Sequence, residues 1–272
     1  YNYYFSSEIS KFPIYGNAVS FYKDSLSSNI ETFPNFFNNK LKFIDRDDES
    51  IIKRNKEKNF YTINKRNWKI KDSIKMPFIT SDSLFTNLLS LALNKKVKII
   101  DEKYNSKINW QTLYTNYDET LYKALLQNSD NLIAESLLLM ISNHKFQSFD
   151  RNLSIEFFKN EWSSFLKDPL IWVDGSGVSR YNLITSRNLI SVLYLIHKKI
   201  GWKGVSNLFP VGGISGTIKD YFKLKNKPFI FAKTGTLRNN HNLSGYLIGK
   251  SKKKLIFSIM INHHKSSSTE VK

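Results

Sequence analysis

The sequence predicts an α+β protein: an antiparallel sheet flanked by helices, preceded by a β-rich region. Three observations carry this. Short segments of strand-forming residues dominate the first hundred positions, apolar residues recur at helical spacing between about 118 and 199, and three strand-like runs close the chain between Phe229 and Ile261. Helices followed by a terminal hairpin suit a helical layer on an antiparallel sheet.

In the first region, Asn17–Tyr22, Lys40–Ile44, Phe60–Ile63 and Trp68–Ile70 are expected strands, and residues 45–58 form a charge-dense connector. Ser81-Asp82-Ser83 offers caps for a helix through about Leu93, apolar at Leu84, Leu88 and Leu91. The character changes after about Lys103, which predicts two domains, 1–104 and 105–272. Asp118–Leu126 reads as a helix, and Asp130–Ile141 as a strongly apolar helix buried on most sides. Residues 150–167 are amphipathic and end near Pro169; Thr185 or Ser186 caps a helix to about Lys199, stopped by Gly201. The final strands are Phe229–Leu237, Leu243–Lys250 and Leu255–Ile261, the last two a hairpin turned at Gly249–Lys253.

Composition narrows the function. Aromatic residues at 14% and apolar residues at 41% exclude global disorder. No apolar run approaches the ~18 residues of a membrane span. The absence of cysteine excludes disulfides, thiolate metal sites and cysteine nucleophiles, and the five histidines show no metal-ligand spacing, so neither metal nor cofactor is expected. Glu135 and Glu156 read as helix charges, not as an acid/base pair. The net charge of +18 would suit an anionic partner. Yet only seven of the 41 cationic residues are Arg, against 34 Lys and 28 Asn. Nucleic-acid readers lean on Arg forks, so composition drift towards Lys and Asn is the preferred reading and a nucleic-acid binder the remote alternative. A chain opening on Tyr1 is read as a processed or truncated product.

Three local patterns could carry chemistry. Lys233-Thr234-Gly235-Thr236 ends an apolar run; thirty-four Lys, twelve Thr and eleven Gly predict only about 0.06 chance occurrences of its first three letters. On a strand, Lys233 and Gly235 face one side and Thr234 and Thr236 the other unless a bulge intervenes. An ammonium beside hydroxyls suits a carboxylate, and the glycine admits a ligand backbone. A surface strand with a turn glycine is the plain alternative. Ser129-Asp130-Asn131 precedes the apolar helix and by itself reads as a helix cap. Asp174-Gly175-Ser176-Gly177, followed by Val178-Ser179-Arg180-Tyr181-Asn182, reads as a tight loop needing backbone freedom.

Taken in order, Ser-x-Asn, Asp-Gly-Ser-Gly-Val-Ser-Arg-Tyr-Asn and Lys-Thr-Gly-Thr resemble the serine penicillin-binding proteins. The likeness is to the low-molecular-mass D-alanyl-D-alanine carboxypeptidase/endopeptidase family with an inserted domain. Phe209-Pro210-Val211-Gly212-Gly213 with Gly216-Thr217-Ile218-Lys219, and Leu243-Ser244-Gly245-Tyr246, extend it. The resemblance implies the penicillin-recognising fold, with the β-rich region as most of the inserted domain. It implies a bacterial periplasm or cell envelope, peptidoglycan stem peptides ending in D-Ala-D-Ala as substrate, and β-lactams as inhibitors. By the same carry-over, Ser129 relays a proton between two lysines, Asn131 holds the substrate amide, and Lys233 adds positive charge. Thr234, Gly235 and Thr236 bind the terminal carboxylate. A non-catalytic wall-peptide binder of the same fold is the runner-up.

The family's nucleophile lies in a Ser-x-x-Lys tetrad. Five such tetrads occur, starting at Ser20, Ser50, Ser142, Ser164 and Ser251. Thirty-two Ser and thirty-four Lys in 272 residues predict about four by chance, so the pattern carries no information. Ser20 precedes the other motifs, but its surroundings read as a strand where the nucleophile should open a helix. The expectation is therefore a nucleophile upstream of Tyr1, an inactive isolated chain and an exposed sheet edge.

Overall fold

The strands of the first region gather around one aromatic cluster. The computed structural model describes residues 6–23, 29–46, 50–69, 73–100, 118–224 and 227–271. The chain divides into two units, Tyr1–Leu113 and Tyr114–Lys272. The boundary expected near residue 104 lies outside the described residues.

In the first unit, β1 (Ala18–Lys23) is the centre of an antiparallel sheet between β2 (Ile30–Phe33) and β6 (Ile74–Pro77). A second sheet has β5 (Tyr61–Asn64) between β3 (Leu41–Ile44), its parallel neighbour, and β4 (Ile52–Arg54), its antiparallel one. Phe21, Phe37, Tyr61 and Phe78 pack in one cluster with α1 (Asp82–Leu93) through Leu84 and Leu88. Ser81 caps α1 as expected, its hydroxyl accepting from Leu84 N at 3.1 Å. Strands β2, β4 and β6 were not anticipated, because three- and four-residue strands are too short for alternation to show. The strand expected at Trp68–Ile70 does not form at Trp68 or Lys69, where the chain leaves a 3-10 turn capped by Asn64; Ile70 lies outside the described residues.

Among the described residues of the second unit, four helices precede the sheet's three strands. They are α2 (Glu119–Gln127), α3 (Asn131–Phe146), α4 (Arg151–Glu161) and α5 (Ser186–Leu208). Helix α3 is longer than expected and buries a single stripe, Leu132, Glu135, Leu138 and Ser142, while Met140 is 62% exposed. Helix α4 stops at Glu161, earlier than its apolar spacing suggested. Gly201 breaks α5 as expected, at φ 65°, but a second helical stretch continues to Leu208. Strands β7 (Ile230–Leu237), β8 (Asn240–Ile248) and β9 (Lys254–Asn262) form one antiparallel meander in that order. Helix α5 covers one face: Leu193, Val205 and Leu208 pack on Phe231 and Tyr246, and the Tyr246 hydroxyl donates to Leu193 O at 2.6 Å. Ile218, Ile230, Ala232 and Leu243 form a second cluster with Phe222 and Phe257 on the other face. The register of β7 on β8 is unbroken from Ile230 to Leu237, so side chains alternate strictly along β7.

Candidate active site

The cap expected within Ser129-Asp130-Asn131 forms at the start of α3. Asp130 is the cap, its carboxylate accepting from Ile133 N at 3.0 Å. Ser129 therefore has no capping work, and its backbone sits at φ 57°. Lys233 Nζ donates to Ser129 Oγ at 2.8 Å, a contact between residues 104 positions apart, and also to Thr234 O at 2.5 Å. Asn131 is the first residue of α3, half-buried and two positions from Ser129.

Lys233 is largely removed from water, and that burial pulls its ammonium down to about 8 from the ordinary 10.5. A lysine with such a value can hold or release a proton near neutral pH, and its hydrogen bond gives the proton a path to Ser129 Oγ.

Thr234 and Thr236 project from the opposite side of β7. The Thr234 hydroxyl donates to Thr217 Oγ1 at 2.8 Å, and Thr236 Oγ1 lies 2.9 Å from Nδ1 of His241. Gly235 lies between them, exposed; a Cβ there would meet only Asn242, at 3.9 Å. Along the outer edge of β7, Ala232 N donates to Pro210 O and Ile230 O accepts from Gly212 N, both at 3.0 Å. Thr234 and Thr236 share the parity of Ile230 and Ala232, so their backbone groups face that same edge.

The Asp-Gly-Ser-Gly loop is held by carboxylates. Asp174 accepts from Gly177 N at 2.7 Å, Ser179 N at 2.6 Å and Asn182 Nδ2 at 2.8 Å. Gly177 takes φ 74°, and a Cβ on Gly175 would stand 2.7 Å from Ala134 O, so the loop lies directly on α3. Arg180 Nη2 donates to Arg238 O at 3.0 Å, bracing the turn after β7.

Glu135 corrects its sequence reading. It is buried, accepts from Ser176 N at 3.0 Å and pairs with Arg151 at 3.3 Å, whereas Glu156 is exposed beside Lys159. Glu135 thus ties α3 and α4 to the loop. Glu135→Ala is expected to cost about 2 kcal/mol, since it leaves Ser176 N–H and a half-covered guanidinium without that partner. Urea unfolding checks this, and a loss under about 0.5 kcal/mol would contradict it. Thr217 and His241 also went unrecognised as neighbours of the threonines. Only the cross-strand pairing of Thr236 with His241 brings that histidine in, and pairing is not readable from local spacing.

The arrangement has known relatives. The sequence profile of the D-Ala-D-Ala carboxypeptidase 3 (S13) family matches residues 92–272. D-alanyl-D-alanine carboxypeptidase DacB of Haemophilus influenzae is 31% identical over 161 residues, 56% of this chain and 33% of that protein. Penicillin-sensitive carboxypeptidase A of Dictyostelium discoideum is 29% identical over 157 residues, 54% of this chain and 30% of that protein. The matched part thus spans about a third of the length of these curated relatives. The crystal structure of penicillin binding protein 4 (dacB) from H. influenzae superposes with a TM-score of 0.69 at 20% identity, covering 100% of this chain and 66% of that one. That likeness shows the fold, the α+β penicillin-recognising architecture expected from the motifs. A profile match over most of the chain, carrying α3, the Asp174 loop and β7 together, places this chain in the D-Ala-D-Ala carboxypeptidase 3 (S13) family.

Proposed function

We propose that these 272 residues carry two of the three walls of a serine D-Ala-D-Ala carboxypeptidase or endopeptidase site, acting on peptidoglycan stem peptides in the cell envelope. The observation that carries the reading is the 2.8 Å hydrogen bond from Lys233 to Ser129, which joins the two motifs at one point.

The chemistry follows from these groups. A serine hydroxyl attacks the carbonyl between the two terminal D-Ala residues; its proton goes to a neighbouring lysine amine. Ser129, bonded to Lys233, passes a proton to the departing D-Ala nitrogen as the C–N bond breaks and a serine ester remains. Water then cleaves the ester. Thr236 donates to the terminal carboxylate, as does Thr234 once Thr217 takes over as donor in the bond between them, and Asn131 holds the substrate amide. The backbone N–H of Thr236, facing the open edge of β7, supplies one oxyanion donor. Gly235 fits this reading, because the chain's own packing leaves room for a side chain there and a peptide lying along the edge does not.

The nucleophile belongs to a Ser-x-x-Lys outside these residues. Ser20 lies within the central strand β1, paired on both sides. Ser142 is fully buried and donates to Ser148 O at 2.6 Å. Ser164 follows α4, and Ser251 turns the β8–β9 hairpin. Ser50 lies two residues before β4, and none of the five serines opens a helix.

The test is intact-mass spectrometry of the full-length gene product with benzylpenicillin, with peptide mapping, alongside D-Ala release from a pentapeptide. The expected result is one adduct outside this segment and measurable D-Ala release. An adduct on Ser20 would overturn the placement of the nucleophile. The absence of both adduct and release would overturn the enzymatic reading in favour of a non-catalytic binder.

A further inference from the structure

The two threonines of β7 are held by different kinds of partner. Thr217 offers Thr234 a hydroxyl, which turns freely between donor and acceptor. His241 offers Thr236 a ring nitrogen, whose role is fixed by whether it carries a proton. His241 stands directly across from Thr236 in the β7–β8 register and is only 5% exposed. It lines a cavity of about 210 Å3 together with Leu243, Ile259 and Ile261.

A hydroxyl has one proton. If Nδ1 is bare, Thr236 must donate to it, and only oxygen lone pairs then face outward, which repels an anion. If Nδ1 carries a proton, Thr236 Oγ1 accepts from it and its own proton is released to an outside acceptor.

We propose that His241 is a positioning residue for recognition of the terminal carboxylate: its Nδ1–H donates to Thr236 Oγ1 and leaves the Thr236 proton directed at the substrate. This rests on the reading of Thr236 as a carboxylate anchor, and it adds a residue that never touches the ligand.

Kinetics of the full-length gene product test it, with a D-Ala-D-Ala peptide and the same peptide capped as a C-terminal amide. His241→Phe removes the donor and keeps an aromatic ring; His241→Asn replaces it with an amide N–H of similar reach. For the free-acid peptide, H241F is expected to raise KM about tenfold with kcat changed less than about twofold. Affinity for the amide is expected to stay unchanged, H241N to recover most of the loss, and H241F to add nothing on top of T236A. Equal effects of H241F on both peptides, or an H241N indistinguishable from H241F, would overturn the proposal. Absence of turnover by the unsubstituted protein would count against the reading of the site instead. In that case ring 15N chemical shifts of His241 in the 272-residue chain decide: a protonated Nδ1 supports the proposal and a bare one ends it.

Discussion

On the proposed function, Lys233→Met in the full-length gene product is expected to suppress peptidase turnover while making the fold more stable at pH 7. The loss of activity follows from the hydrogen bond to Ser129: without an amine at that point the proton path to the leaving nitrogen is cut. A drop of about 10²–10⁴ in kcat/KM is the scale for a positioned acid or base. The gain in stability follows from burial. The folded chain binds the Lys233 proton less tightly than the unfolded chain, about 8 against 10.5. Stability therefore rises with pH between those values, and below about pH 8 the whole cost of burying the ammonium is borne. That cost is about 3 kcal/mol at most, offset in part by the bonds to Ser129 Oγ and Thr234 O. Methionine keeps the length and drops the charge. Its Tm should exceed that of the unsubstituted protein at pH 7 by several degrees, and the gap should narrow as pH climbs towards 10. Full activity in K233M, or a lower Tm at pH 7, would contradict this.

Gly245→Ala is expected to be the most damaging single methyl in the second unit. Gly245 sits in the middle of β8 opposite Ala232, and an added Cβ would stand 2.2 Å from Phe231 O and 2.6 Å from Ala232 Cα. Both are backbone atoms of β7, so no side-chain rotation can make room. Either the strands separate or β7 shifts, and a shift carries Lys233 away from Ser129. A loss of about 3 kcal/mol or more is expected, with Tm lower by about 10 °C. Thermal melts followed by circular dichroism check it. A companion substitution, Gly235→Ala, meets only Asn242 at 3.9 Å and should leave Tm within about a degree. The two glycines lie one strand apart and separate packing from function. If G245A melts like the unsubstituted chain, close strand approach is not the reason for that glycine.

Most of the second unit was legible in the sequence because its elements are long. Helices of 9 to 23 residues and strands of 8 and 9 give apolar periodicity time to show. Three caps were legible for the same local reason: Ser81, Asp130 within Ser129-Asp130-Asn131, and Thr185 all act within three residues of themselves, whereas the caps at Asp118 and Asp150 were not singled out. The first unit was legible only in outline. Strands of three or four residues draw their stability from neighbours such as Phe21, Phe37 and Tyr61, which local spacing does not reveal.

The sequence by itself determined the helix and strand identities of the second unit and the order of motifs that pointed to the family, while the unbroken register of β7 on β8 settled that Lys233 and Thr234 alternate without a bulge. Those identities and that order are properties of neighbours along the chain, set by side-chain size, hydrogen-bonding groups and the fixed periods of helix and strand. Only the tertiary structure decided which residues share a hydrogen bond across a hundred positions. It set Lys233 against Ser129, brought His241 behind Thr236 and turned Glu135 from a helix charge into the buried anchor of the Asp174 loop. The depressed pKa of Lys233 belongs to that second class, because burial is a property of everything packed around an atom and no stretch of sequence carries it.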